Sequence, residues 1–172
     1  MKDLTTEFLC EIYEDIPNIT VIRQFIDIRS MNKLIEEHDR VIMLGHGSPQ
    51  GLFSNHGGFI IDENNVKALK KKQNIYIWCH ASMFVHEHKL KGFSTGMFVS
   101  EVSEANWCDV PLRADSLSEV SESNRAFARL VRSQIENPVE VIYEHCYTWY
   151  TPEKYNKSKV VEYNHCRLQL ID

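Results

Sequence analysis

Glycine and proline are scarce in this chain: seven Gly and five Pro in 172 residues. That scarcity excludes a collagenous or low-complexity protein. Long apolar runs are missing too, and none approaches the roughly 20 residues of a membrane span. The first residues, Met1-Lys2-Asp3-Leu4-Thr5-Thr6-Glu7, carry a Lys but no apolar signal core behind it. There is no basic excess: 19 Lys and Arg stand against 24 Asp and Glu, a net charge of −5. Nucleic-acid binders usually carry a basic stripe, so this balance speaks against a nucleic-acid partner. The one basic cluster, Lys70, Lys71 and Lys72, falls at the end of an expected helix, where the helix dipole favours cations. The five Cys (Cys10, Cys79, Cys108, Cys146 and Cys166) are odd in number and include no C-x-x-C pair. They read as free thiols in a reducing compartment rather than as a disulfide framework. The expectation is a cytosolic protein without membrane association.

What is present is the composition of a globular domain, with 43% hydrophobic and 25% charged residues. With no internal repeat and no linker, residues 1–172 read as a single domain. Residues 5–15 suit an edge strand or a first helix. Residues 18–26 (NITVIRQFI), rich in β-branched side chains, predict a strand. Ser30 is the expected cap of a helix over 31–38, with Met31, Leu34 and Ile35 on one face. Val41-Ile42-Met43-Leu44 is a short run apolar on both faces, as in a buried parallel strand. The pieces around Ser54-Asn55-His56-Gly57-Gly58 within 51–61 predict a hairpin. Asp62 or Asn64 then caps a helix through Lys72. Residues 75–78 form the next buried strand and 95–100 a third. Helices follow over 121–135 and 139–150, and residues 159–170 alternate as a last strand.

Strands alternating with helices predict an α/β fold with a mostly parallel central sheet and helices on both faces. In such sheets ligands bind outside the carboxyl ends of the strands. His46 follows one expected strand and Cys79 the next. Adjacent parallel strands lie about 4.8 Å apart, so the two side chains would meet at one rim. An imidazole beside a thiol can take its proton, or as imidazolium hold the thiolate. Gly47 leaves its N–H open to a substrate, and the N–H of Cys79 is a second donor, together an oxyanion hole.

Val41-Ile42-Met43-Leu44-Gly45-His46-Gly47, followed by Ile75-Tyr76-Ile77-Trp78-Cys79-His80-Ala81, resembles the clan CD cysteine peptidases, which include caspases, gingipains, separases, legumains and bacterial CHAT-type domains. The resemblance implies a caspase-like three-layer α/β/α sandwich. It implies His46 as general base, Cys79 as nucleophile, and the amides of Gly47 and Cys79 as oxyanion donors. The substrate would be a peptide or protein, with no cofactor and no metal. The His-to-Cys spacing is 33, against roughly 50 in caspases, and the Q-A-C-x-G pentapeptide is absent. The likeness is therefore to bacterial branches rather than to caspases proper. Some clan CD peptidases select a basic side chain through an acidic residue, which makes Glu101 the candidate for substrate binding.

The remaining residues offer rival chemistry. Cys79, His86 and His88 are metal-ligand types, and a zinc-dependent hydrolase built on them is the third reading, although their spacing fits no standard zinc finger or ribbon. His145-Cys146 and His165-Cys166 are two further His/Cys pairs. No G-x-x-x-x-G-K-[ST] loop and no G-x-G-x-x-G is present, so nucleotide binding has no motif behind it. A binding module that keeps the fold but does not turn substrate over is the main alternative to a peptidase.

Overall fold

The computed structural model describes residues 5–23, 26–55, 57–70 and 72–172. Residues 1–4, Gln24, Phe25, His56 and Lys71 lie outside them, and with them part of the expected strand over 18–26, the tip of the hairpin and the middle of the lysine cluster. The chain divides into two compact units, Pro17–Gly96 with Gln169–Asp172, and Met1–Ile16 with Met97–Leu168. Its fold is mixed α/β.

The unit around Pro17–Gly96 carries the sheet. Its elements are α1 (Ile28–Glu37), β1 (Arg40–Leu44), β2 (Gly47–Ser48), β3 (Gly51–Phe53), β4 (Phe59–Ile61), α2 (Val66–Leu69), β5 (Gln73–Ile77), α3 (Ala81–Glu87) and β6 (Gly92–Thr95). The chain's last strand, here β7 (Leu168–Ile171), completes a four-stranded sheet of order β1-β5-β6-β7. β1 runs parallel to β5, and β5 parallel to β6. A second, three-stranded sheet, β2-β3-β4, is antiparallel. The expected strands over 41–44 and 75–78 are therefore neighbours and parallel, and 51–61 forms the expected hairpin.

One face of β1 and β5 builds the core of this unit. Met43, Tyr76 and Trp78 pack with Met31 and Ile35 of α1, Leu69 of α2 and Phe84 and Val85 of α3. Tyr76, Trp78 and Phe84 meet edge-on, with ring centroids 5.7 Å apart at each step. Burying side chains of this size stabilises the fold by about 1.5–3 kcal/mol each.

Several elements differ from expectation. The cap of α1 is Asp27, not Ser30: its carboxylate accepts the Ser30 N–H at 3.0 Å and the Ser30 hydroxyl at 2.6 Å. Those two bonds hold the Asp27 carboxyl below its ordinary range. The described part of 18–26 forms no strand, and Ile19, Val21 and Ile22 are exposed. β-Branched residues favour a strand only where a neighbouring strand offers pairing and packing, and among the described residues none does so here. Asp62 opens a short 3-10 turn, Glu63–Asn65, that runs into α2, and α2 ends at Leu69 rather than at Lys72.

The third strand is Gly92–Thr95 and stops where 95–100 was expected to begin. Gly92 is required there, because a Cβ on it would sit 2.3 Å from the Asn74 carbonyl of β5.

The other unit holds a 3-10 turn over Glu7–Ile12 and the helices α4 (Val102–Trp107), α5 (Ser116–Ser133), α6 (Val139–Trp149) and α7 (Lys159–His165). Phe98 and Val99, apolar residues that suggest a strand over 95–100, are buried here in an irregular segment. The Asn164 side chain takes the place of a strand partner: it accepts the Val99 N–H at 2.7 Å and donates to the Val99 carbonyl at 2.9 Å. Residues 159–165 are helical instead of extended, because Ser158 caps them and Val160, Val161 and Asn164 share one buried face. Tyr150 is fully buried with its hydroxyl 2.6 Å from that of Ser123. The buried Glu119 carboxylate accepts the Ser158 hydroxyl at 2.6 Å and the Arg113 N–H at 2.9 Å.

Candidate functional site at the carboxyl rim of the parallel sheet

Strands β1 and β5 end level with each other. Leu44 and Ile77 are register partners, and the Gly45 N–H donates to the Ile77 carbonyl at 3.1 Å. His46 and Cys79 each stand two residues beyond that rung, so both leave the sheet at the same carboxyl rim. Both are partly exposed.

On the His46 side the chain turns into β2. The His46 carbonyl accepts the Phe53 N–H at 2.9 Å, and Gly47 stands opposite Leu52. In an antiparallel pair this makes Gly47 and Leu52 a non-hydrogen-bonded pair. The Gly47 N–H therefore points away from β3, to the edge of the three-stranded sheet. Gly47 is needed for close approach: a Cβ on it would lie 2.2 Å from Cδ1 of Trp78 and 2.6 Å from the Gly51 carbonyl oxygen.

On the Cys79 side the chain passes from β5 to α3 in one tight turn. His80 adopts the left-handed conformation, φ 67° and ψ 21°, at the N-cap of α3. A non-glycine residue there costs about 1 kcal/mol, which the surroundings must offset. They do so with three hydrogen bonds: His80 N–H to Gly96 O at 3.1 Å, Ala81 N–H to Trp78 O at 3.2 Å, and Thr95 Oγ1–H to Trp78 O at 3.0 Å. Cys79 is thus presented on a strand–turn–helix junction, a common setting for a nucleophile.

The other thiols are placed differently. Burial pushes the Cys146 thiol up to about 12, which makes it inert as a nucleophile at neutral pH. Cys10 lies 3.0 Å from the Tyr13 hydroxyl, and Cys166 is exposed at the end of α7.

The structure does not gather the candidate zinc ligands. His86 is exposed on α3, and His88 at the C-cap of α3 lays its ring against Phe84 at 4.6 Å. His145 lies 3.3 Å from the Ser133 hydroxyl, and His165 Nε2 lies 2.9 Å from the Tyr147 carbonyl. Among the described residues no group of three or more His, Cys, Asp or Glu is placed to hold a metal ion. Among them, too, no helix is long and apolar enough to cross a membrane. Glu101, the candidate for substrate binding, directly follows the strand expected over 95–100. That strand ends at Thr95, and Glu101 instead occupies the N-cap position of α4 in the other unit. There its N–H donates to Glu104 at 3.1 Å and its carboxylate accepts the Ser103 hydroxyl at 3.3 Å.

Two residues at this rim escaped the sequence reading. In the sequence Trp78 reads as core packing by its size and apolarity, and Thr95 as a hydroxyl with no base assigned to it. The available signal was local: a large indole directly before the Cys and a glycine directly after the His leave one residue able to lie flat on the other. Compared with protein families, with curated proteins and with solved structures, this chain matches none.

Proposed function

We propose that the chain is a cysteine hydrolase, most simply a peptidase, working in the cytoplasm on a peptide or protein substrate without a cofactor. In this reading its α/β fold is a three-layer α/β/α sandwich of the caspase-like, clan CD kind. The observation that supports it is the β1–β5 register, which sets His46 and Cys79 at equal offsets beyond one shared rung. The carboxyl rim is where parallel α/β sheets bind ligands.

The chemistry follows from the residue types. His46 takes the Cys79 thiol proton, and the sulfur bonds to the substrate carbonyl carbon while the C=O electron pair moves onto oxygen. The Gly47 and Cys79 amides are the donors for that oxyanion. As it collapses, the C–N bond breaks and the imidazolium gives its proton to the leaving amine. Water, deprotonated by His46, then attacks the thioester. The C–S bond breaks, the acid leaves and the thiol is restored.

The test is a library of fluorogenic peptides read with wild type, Cys79→Ala and His46→Ala, with and without a chelator. Cleavage that vanishes in Cys79→Ala and ignores the chelator supports the dyad. Cleavage that survives Cys79→Ala but is lost to the chelator rejects it in favour of a metal hydrolase.

A peptide-binding module without turnover is the second reading. It is favoured by the exposed Phe53 and Phe59 rings, stacked at 5.3 Å on the hairpin bonded to His46. Peptide capture by both wild type and Cys79→Ala, with no cleavage by either, would decide for it.

A further inference from the structure

Trp78 belongs to both halves of the rim. Its main chain is part of the Cys79 turn, where its carbonyl accepts Thr95 Oγ1–H at 3.0 Å and Ala81 N–H at 3.2 Å. Its side chain reaches the other half: indole Nε1–H donates to the Ser48 carbonyl at 3.0 Å, two residues past His46. The ring is only 2% exposed and is clamped edge-on by Tyr76 and Phe84. Gly47, lacking a Cβ, lies against it.

A buried tryptophan that serves packing alone needs an acceptor for its N–H, but any acceptor suffices. Here the acceptor is the backbone of the segment that carries His46. That segment is the edge strand β2, two residues long, paired with β3 on one side. A rigid ring anchored at one end to the Cys79 turn and at the other to Ser48 fixes the spacing of the two.

We propose that Trp78 is a positioning residue, locking the His46–Gly47–Ser48 segment onto the turn that presents Cys79 through its indole N–H, with Thr95 holding the turn from the other side. This rests on the dyad reading, in which His46 activates Cys79. Loosening the lock lets the imidazole drift from the sulfur, and the thiol then behaves more like a free one.

The experiment measures alkylation of Cys79 by iodoacetamide between pH 5 and 10, with peptide mapping by mass spectrometry to separate it from the other thiols. The variants are His46→Ala, Trp78→Phe, the double variant, Thr95→Val and Thr95→Ser. Circular dichroism and thermal melting run alongside. The expected result is that His46→Ala and Trp78→Phe each move the profile to higher pH, with the rate at pH 7 falling about threefold or more. The double variant falls no further than His46→Ala alone, because both act on the same activation. Thr95→Val moves the profile the same way, and Thr95→Ser, which keeps the hydroxyl, restores it. A merely structural tryptophan would lower the melting temperature and leave the profile of the folded protein unmoved. A wild-type profile in Trp78→Phe beside a shifted one in His46→Ala overturns the proposal. An unmoved profile in His46→Ala overturns the dyad itself, and the positioning role with it. If Trp78→Phe does not fold, the Thr95 pair decides: a wild-type profile in Thr95→Val rejects the lock.

Discussion

Leu44 and Ile77 share one rung of the parallel β1–β5 pair, and the Gly45 N–H closes that rung on the Ile77 carbonyl at 3.1 Å. The two strands therefore end at the same level. Past the rung, one chain bends into β2 and the other into the left-handed turn at His80. In the proposed scheme the base and the nucleophile stand on the ends of two adjacent strands and inherit the rigidity of the sheet, which suits catalytic positioning better than mobile loops would.

Turnover separates the two residues by role. Cys79→Ala removes only a partly exposed sulfur, so its melting temperature should stay close to wild type while hydrolysis is abolished. His46→Ala should lower kcat by about 10²–10⁴-fold, the usual share of acid–base catalysis, with KM changing little. Steady-state kinetics on one cleaved peptide measure both. A His46→Ala enzyme at full kcat would remove the general base from this scheme.

Gly47→Ala is expected to be disproportionately harmful for a single methyl group. The added Cβ would lie 2.2 Å from the Trp78 ring and 2.6 Å from the Gly51 carbonyl oxygen, neither of which can yield freely. Overpacking of this kind costs about 1–3 kcal/mol. Urea unfolding should show that loss, and the activity should fall further than stability alone explains, because the displaced segment carries His46. A Gly47→Ala protein as stable as wild type would mean that this contact relaxes without cost.

Alkaline pH should unfold the protein through its buried acids. Burial pushes the Cys146 thiol up from 9.0 to about 12, and it raises the Tyr76 and Tyr150 hydroxyls as well. Each of these groups is neutral when protonated and resists ionising in the folded state. Below about pH 9 both states keep the protons and stability is unaffected. Between the unfolded and folded values the unfolded chain binds fewer protons, so stability falls as pH rises. The slope is about 1.4 kcal/mol per pH unit for each group in its window. Denaturant titrations from pH 8 to 11 measure it, and Cys146→Ala should flatten its first part. Constant stability up to pH 11 would contradict the burial of these groups.

Asn164→Leu tests the irregular segment at Val99. The amide side chain serves both the N–H and the carbonyl of Val99, at 2.7 and 2.9 Å, in a fully buried position. Leucine would leave two buried backbone groups without partners, at about 1–3 kcal/mol apiece. A melting temperature lowered by several degrees, with Asn164→Asp also damaging because it lacks the donor, is the expected pattern. Wild-type melting in Asn164→Leu would show that water serves Val99 instead.

The sequence by itself determined the alternation of short apolar runs with helical segments, and with it a mixed α/β fold. It also determined that His46 and Cys79 each follow a strand of the parallel sheet, although β1 turned out to be a half-buried edge strand rather than a buried one. Periodicity and strand-end position are local properties, so a run such as Val41-Ile42-Met43-Leu44 announces itself. Tertiary structure decided what depends on a distant partner. Residues 18–23 have strand-forming side chains but, among the described residues, no neighbouring strand, and they stay irregular. Residues 159–165 alternate like a strand yet fold as a helix, because Ser158 caps them and their apolar face is buried. The third strand starts at Gly92, where only a missing Cβ lets the chain reach Asn74. Trp78 read as core because size and apolarity are visible in a sequence, whereas the acceptor of an indole N–H is not. That the acceptor is Ser48, 30 residues away, follows from the parallel register that brings the ends of β1 and β5 together.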